Sequence, residues 1–307
     1  MIKQIPGGVY PTMVTPFTPD NKIDYSAVEQ LLAWYDGKVD GVFAVCQSSE
    51  MFCLSFEERL ELMRFVRAHA PKDMAVVASG HTAESLDQQI EEAKRFIDTG
   101  VDSYVFISNR FAAPEDSDDV FLENVDYVVN RIPEIALGIY ECPAPYRRLL
   151  SPETLGALAK GGRFTFLKDT CCDADVIRRK IAAVAGTPLK IFNANSASLL
   201  ITLRDGAAGF SGVMANFHPE IYFWLCHHFA DEPDKAEKVQ DFLGFASLSE
   251  RQIYPPNAKY YLSLEGLDVT TVTRSKPYAM SKSEQLEMQQ LRGLTKTFKE
   301  MMGIASS

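Results

Sequence analysis

Residues 74–108 read MAVVASGHTAESLDQQIEEAKRFIDTGVDSYVFIS. The stretch opens on a short apolar run, MAVVAS from Met74, and closes on another, SYVFIS from Ser103. Near-continuous apolarity, instead of alternation, is what a parallel strand covered on both faces requires. Between the runs, Leu86, Ile90, Ala93 and Ile97 recur at spacings of 4, 3 and 4, which places them on one helix face. Gly100 then stands as a C-terminal stop. A strand, a helix and a second strand follow one another here.

The same alternation extends in both directions. Strand-like runs begin near Gly8 (GVYPTMVT), Gly41 (GVFAV), Ala136 (ALGIY), Phe164 (FTFLKD), Leu189 (LKIFN) and Gly209 (GFSGV). Asp24, Ser55 and Ser151 read as helix N-caps, the latter two followed by acids in the first turn. Eight βα units within about 220 residues predict an α/β fold of the (β/α)8 TIM-barrel type. A doubly wound sheet is the competitor, but no GxGxxG follows the first strand. The barrel is assigned to residues 1–230 as the catalytic domain. Residues 231–307 are read as a C-terminal helical extension packed on it. There FLGFASLSERQ and SEQLEMQQLRGLTKTFKEMM look helical, with Leu286, Met288, Leu291 and Leu294 as an apolar stripe.

The 307 residues are 46% hydrophobic, too apolar for a disordered chain. Lys and Arg number 31 against 41 Asp and Glu, leaving a formal charge of −10. Such a surface repels phosphate backbones, which argues against nucleic acid as a partner. The opening MIKQIPGGVYPT lacks the apolar core of a signal peptide, and no run reaches the ~18 uncharged apolar residues of a membrane span. No membrane partner and a cytoplasmic location are therefore expected. The six cysteines, Cys46, Cys53, Cys142, Cys171, Cys172 and Cys226, lack a CxxC pair and a nearby histidine set. They read as reduced thiols, with no metal site.

In a barrel, chemistry sits where strands end. Lys168 ends an apolar run in FTFLKDT. It is either paired with Asp169 or another acid, or it is an amine whose pKa is lowered by desolvation and which attacks a carbonyl. Tyr140 ends the preceding strand, in LGIYECP, so the two should converge at the barrel mouth. A phenol there can pass protons to and from a carbinolamine; otherwise it is one more core aromatic. The segment Cys46-Gln47-Ser48-Ser49-Glu50 follows strand two, and its hydroxyls and backbone N–H groups can hold a carboxylate.

Taken together, these segments resemble the dihydrodipicolinate synthase and N-acetylneuraminate lyase superfamily, the class I pyruvate-dependent aldolases. The resemblance runs from about Gly8 to at least Asn216, through GVYPTMVTPFTPDNKIDYSAV, DGVFAVCQSSEMFCLSFEER, YECP, LKDT and GFSGVMAN. It implies that Lys168 forms a Schiff base and that Tyr140 is the catalytic phenol. Gln47, Ser48, Ser49, Thr170 and Ser211 make up the substrate-binding set it implies, to which Asn195, after strand seven, could add neutral hydrogen bonds. A homo-oligomer, tetramer or dimer, and no cofactor are implied as well. Departures are equally plain. The family's G-[ST]-T-G-E motif reads CQSSE here, Pro145 stands where the synthases keep an arginine, and Phe111 where they keep a relay tyrosine. The acidic pair of the sialic acid lyases falls at Ser196 and Ala197. Arg110, Arg147 and Arg148 are expected to ring the mouth and to offer guanidinium groups to a second anionic group, unless they are plain surface charge. Asn193 could add neutral hydrogen bonds, His218 reads as a packing or capping residue, and Cys142 as a structural thiol facing the mouth or the core.

The expected function is a Schiff-base lyase or aldolase acting on a small 2-oxo acid such as pyruvate. The alternatives are dihydrodipicolinate synthase proper, and a non-catalytic barrel that binds a keto acid.

Overall fold

The computed structural model describes residues 2–276 and 278–305. Met1, Pro277, Ser306 and Ser307, which belong to the two predicted segments, lie outside the described residues. All eight apolar runs become strands: β1 (Gly8–Val9), β2 (Gly41–Phe43), β3 (Ala75–Ala78), β4 (Ser103–Ile107), β5 (Leu137–Tyr140), β6 (Phe164–Asp169), β7 (Lys190–Asn193) and β8 (Gly209–Phe210). Every neighbouring pair is parallel, in the order β1-β8-β7-β6-β5-β4-β3-β2. The ring closes where Thr12 bridges Phe43 beyond the end of β1. There the Met13 N–H donates to the Phe43 carbonyl and the Phe43 N–H to the Pro11 carbonyl, at 3.0 Å each. This is the (β/α)8 barrel expected from the alternation.

Side chains alternate along each strand, so every second residue points into the barrel. Phe43, Phe166, Phe192 and Tyr10 fill the interior as one aromatic layer. Phe166 stacks on Phe192 at 4.6 Å and meets Tyr10 and Phe43 edge-on at 5.5 and 6.0 Å. Gly41 makes room for it, since a Cβ there would stand 2.3 Å from the Tyr10 ring.

The outer helices are α1 (Tyr25–Tyr35), α2 (Phe56–His69), α3 (Leu86–Ile97), α4 (Asp118–Val129), α5 (Pro152–Lys160), α6 (Ala174–Ala183), α7 (Leu199–Arg204) and α8 (Pro219–His228). Asp24, Ser55 and Ser151 cap α1, α2 and α5 as expected, and Ser55 with Glu58 completes a capping box. In α3 the buried face passes through Gln89, Ile90, Ala93 and Phe96. Leu86 and Ile97 are only partly buried, because the Phe96 ring takes the core position against Phe56 and Tyr104.

The C-terminal segment adds α9 (Pro233–Ala246), α10 (Pro256–Leu264) and α11 (Lys282–Met302). The helix α10, which begins at the second of two adjacent prolines, has no counterpart in the sequence reading. Half of the α11 stripe is also corrected. Met288, Leu291 and Thr295 are buried, whereas Leu286 and Leu294 are 54% and 59% exposed. The face that packs on α10 follows positions i, i+3 and i+7, and the two leucines lie off it. No helix among the described residues is long and apolar enough to cross a membrane. The six cysteines are free thiols.

Candidate active site

Tyr140, the last residue of β5, stands in register with Lys168, the last but one of β6. Both point inward above the aromatic layer, and Tyr140 rests edge-on against Phe43 at 5.7 Å. Lys168 is 5% exposed, with Nζ 4.3 Å from the centre of the Tyr140 ring. Its alternative partner, Asp169, faces the other way, as the next residue of a strand must. The Asp169 carboxylate instead takes a hydrogen bond from Lys180 Nζ of α6 at 2.6 Å, and Glu141 takes another at 2.5 Å. All three side chains are completely buried. Burial lowers the Lys168 pKa, opposed by Cys46, Cys142, Glu250 and Asp169. Burial also pushes the Tyr140 phenol well up, so it stays protonated.

The turn after β2 is held by Ser49. Its Oγ accepts the Cys46 N–H and donates to the Cys46 carbonyl, at 2.7 Å each. Thr15 Oγ1 donates to the Ser49 carbonyl at 2.8 Å. Ser49 is fully buried and spent within its own turn, so it does not line the mouth. Gln47 and Ser48 do. Gln47 Oε1 accepts from the Tyr140 hydroxyl at 3.4 Å and from the Cys142 thiol at 3.5 Å. Ser48 Oγ donates to Thr12 Oγ1 at 3.0 Å. Glu50 turns away at φ 61° and binds Lys259 Nζ at 2.8 Å and the backbone N–H groups of Arg274 and Ser275 at 2.7 Å. Desolvation brings Lys259 down to about 8 despite Glu50.

Above Lys168 lies a cavity of about 380 Å3. The expected Gln47, Ser48, Thr170, Asn195 and Arg147 line it beside Tyr140 and Lys168. Thr170 is fixed by donating Oγ1–H to the Glu141 carbonyl at 2.6 Å, and Asn195 by accepting the Ser198 N–H at 3.0 Å. Other expected members are elsewhere. Ser211 is fully buried and only its successors Gly212 and Val213 reach the cavity. Its Oγ has no partner among the described residues. Arg110 lies over the Phe52 ring at 5.8 Å and 3.7 Å from Glu84, outside the lining. Arg148 turns into the 113–118 loop, donating to the carbonyls of Ala113, Asp116 and Ser117 and to the Asp118 carboxylate. Asn193 is tied to Ser198 and Thr202. Phe111 is packed among Phe106, Phe121 and His81. His218 packs flat against Tyr222 and holds the N-cap position of α8, where its ring makes no capping hydrogen bond.

The sequence reading missed one whole wall. Glu250, Tyr254, Pro255, Ser275 and Lys276 of the C-terminal segment line the same cavity. Tyr254 is half-buried beside Ser48 and Thr12, and its hydroxyl accepts from Asn216 Nδ2 at 3.5 Å. Asn216 Oδ1 in turn accepts from the Tyr35 hydroxyl at 2.6 Å. These residues lie outside the βα repeats, so no periodicity points to them. The Glu141–Lys180–Asp169 triad was equally hidden: the two acids follow apolar strand runs, but Lys180 stands after Arg178 and Arg179 and looks like surface charge.

Residues 5–294 match the profile of the Dihydrodipicolinate synthetase family. A 4-hydroxy-tetrahydrodipicolinate synthase of Haloarcula marismortui is 26% identical over 214 residues, 69% of this chain and 68% of that one. Among solved structures, a prophage protein of the dihydrodipicolinic acid synthase family from E. coli K12, in complex with pyruvate, superposes with a TM-score of 0.83 at 21% identity. The match covers 97% of this chain and 99% of that one. A chloride-inhibited dihydrodipicolinate synthase from Acinetobacter baumannii, complexed with pyruvate, gives 0.81 at 21% identity over 98% and 100%.

Proposed function

Since the chain belongs to the dihydrodipicolinate synthetase family, we propose that it is a lyase or aldolase that forms a Schiff base with a pyruvate-type 2-oxo acid on Lys168. The carrying observation is a buried, desolvated lysine whose neighbouring acid is already committed to Lys180, set beside a protonated phenol. A lowered pKa leaves more of the amine neutral for attack on a ketone carbon. The Tyr140 hydroxyl donates the proton with which the carbinolamine oxygen leaves as water. The resulting iminium withdraws electrons from the neighbouring carbon, which permits carbon–carbon cleavage or loss of a hydroxyl. Ser48 and the N–H groups of the turn after β2 hold the carboxylate and fix its orientation. Pyruvate complexes of two relatives support the choice of keto acid.

Arg147 and Lys276 suit a second anionic group on the distal half of the substrate. Synthesis of dihydrodipicolinate itself is disfavoured by Pro145 and by Phe111, whose ring is buried away from the cavity. The reading includes a cytoplasmic homo-oligomer without metal or organic cofactor, with residues 1–230 as the catalytic barrel and 231–307 as its extension. Borohydride reduction in the presence of pyruvate tests it. A stable adduct on Lys168, absent in Lys168→Ala with unchanged circular dichroism, is expected. No adduct with any 2-oxo acid would favour the keto-acid-binding barrel instead.

A further inference from the structure

Among the described residues the buried carboxylates are all occupied: Glu50 by Lys259, and Glu141 and Asp169 by Lys180. Glu250 differs. It sits half-buried in a short 3-10 turn, Ser247–Arg251, and is the one acid that lines the cavity among the described residues. Among those residues no salt bridge claims it. It shares the cavity with Lys168 and Tyr140, and the Tyr140 hydroxyl is already turned to Gln47.

From this juxtaposition we infer that Glu250 is the proton acceptor and donor of the bond-breaking step. The inference rests on the Schiff-base reading above. In the iminium, the former ketone carbon C2 is bonded to Lys168 Nζ, its oxygen having left as water. Glu250 takes the proton of a hydroxyl on C4. The O–H electrons form the C4 carbonyl, the C3–C4 bond breaks, and its pair becomes the C2–C3 double bond of an enamine, neutralising the nitrogen. The proton on Glu250 then passes to C3, which restores an iminium. Water hydrolyses that to the 2-oxo acid and free Lys168. Carbon–carbon cleavage is internally balanced and consumes no co-reactant, since the water released on forming the iminium is taken up again at its hydrolysis.

A carboxylate suits this task better than the phenol. Burial raises the Glu250 pKa, against Lys168 and Arg251, which brings a carboxylate nearer to neutrality. Burial drives Tyr140 the opposite way for a base. Tyr254, Arg147 and Lys276 share the cavity with Glu250, whose charge raises the Tyr254 and Tyr222 phenols further. A general acid–base works best when its pKa lies near the working pH.

Pyruvate in D2O isolates the step, because exchange of its C3 hydrogens requires the proton transfer assigned to Glu250 and no second substrate. Wild type should exchange them with an acid limb above the ordinary carboxylate range. In Glu250→Gln, borohydride should still trap pyruvate on Lys168, while exchange falls by about 10²–10⁴-fold and the acid limb disappears. Glu250→Asp should restore part of the rate and the limb. Exchange in Glu250→Gln within about threefold of wild type overturns the assignment. So does loss of trapping in a folded Glu250→Gln, which would make the residue a shaper of the pocket. Failure of wild type to trap pyruvate would instead bring down the Schiff-base reading itself.

Discussion

Replacing Lys180 by Met would leave Glu141 and Asp169 facing each other with no cation. In the intact protein burial disfavours the Lys180 ammonium, yet the two carboxylates together lift its pKa above the usual lysine value. Glu141 is raised by burial and by Asp169 and is held down by Lys180. Breaking a fully buried pair by removing one partner costs about 3–5 kcal/mol. Unfolding entropy of roughly 2.1 cal/mol/K per residue over 307 residues amounts to about 0.6 kcal/mol/K. The melting temperature of Lys180→Met should therefore fall by about 5–8 °C near pH 8. The deficit has a defined pH sign. Without the ammonium, the folded-state pKa of Glu141 rises further above its unfolded value. Folding then takes up a proton between those two values, so the variant regains stability as pH falls through the folded pKa toward the ordinary carboxylate range. Differential scanning calorimetry at pH 8 and pH 5.5 reads both effects. A melting point within about 2 °C of wild type at pH 8, or a deficit that grows on acidification, would refute the account of the triad.

Tyr140→Phe should slow turnover by roughly 10²–10⁴-fold while adduct formation survives more slowly, as single-turnover trapping will read; a loss under about threefold would make Tyr140 a core aromatic only. Arg147→Ala should leave the melting curve unchanged and raise KM for substrates with a second anionic group. Arg148→Ala should instead destabilise by at least about 1.5–3 kcal/mol in denaturant titration, since Arg148 is hydrogen-bonded to the Asp118 carboxylate and three loop carbonyls. Equal melting curves for the two arginine variants would contradict their placement. Coupled assays with pyruvate and aspartate semialdehyde should show negligible dihydrodipicolinate formation, and turnover at about 1–10³ per second would show that Pro145 and Phe111 do not matter.

The barrel was legible because its signal is collective. Eight apolar runs with helices between them leave few other topologies, and each run contains a strand although β1 and β8 shrink to two residues. The positions of Tyr140 and Lys168 follow from the same signal, since strand ends define the mouth. Side-chain direction in loops was not legible. Ser48 and Ser49 are adjacent hydroxyls, yet one lines the cavity and the other locks the turn. Arg147 and Arg148 likewise part, one to the cavity and one to the 113–118 loop. Pairings such as Glu50 with Lys259 join residues far apart in sequence, and nothing local encodes them.

That last pairing bears on how the protein comes into being. Glu50 and Lys259 are separated by 209 positions, and the residues Glu50 clasps, Arg274 and Ser275, come later still. Domains emerge from the ribosome N-terminus first. A nascent chain can thus have all eight strands outside the ribosome while Lys168 still lacks its cover. Its amine then lacks the side of the cavity that the C-terminal segment supplies. The wall of the cavity is completed only with the final stretch of synthesis, when Glu250, Tyr254, Ser275 and Lys276 reach their places in its lining.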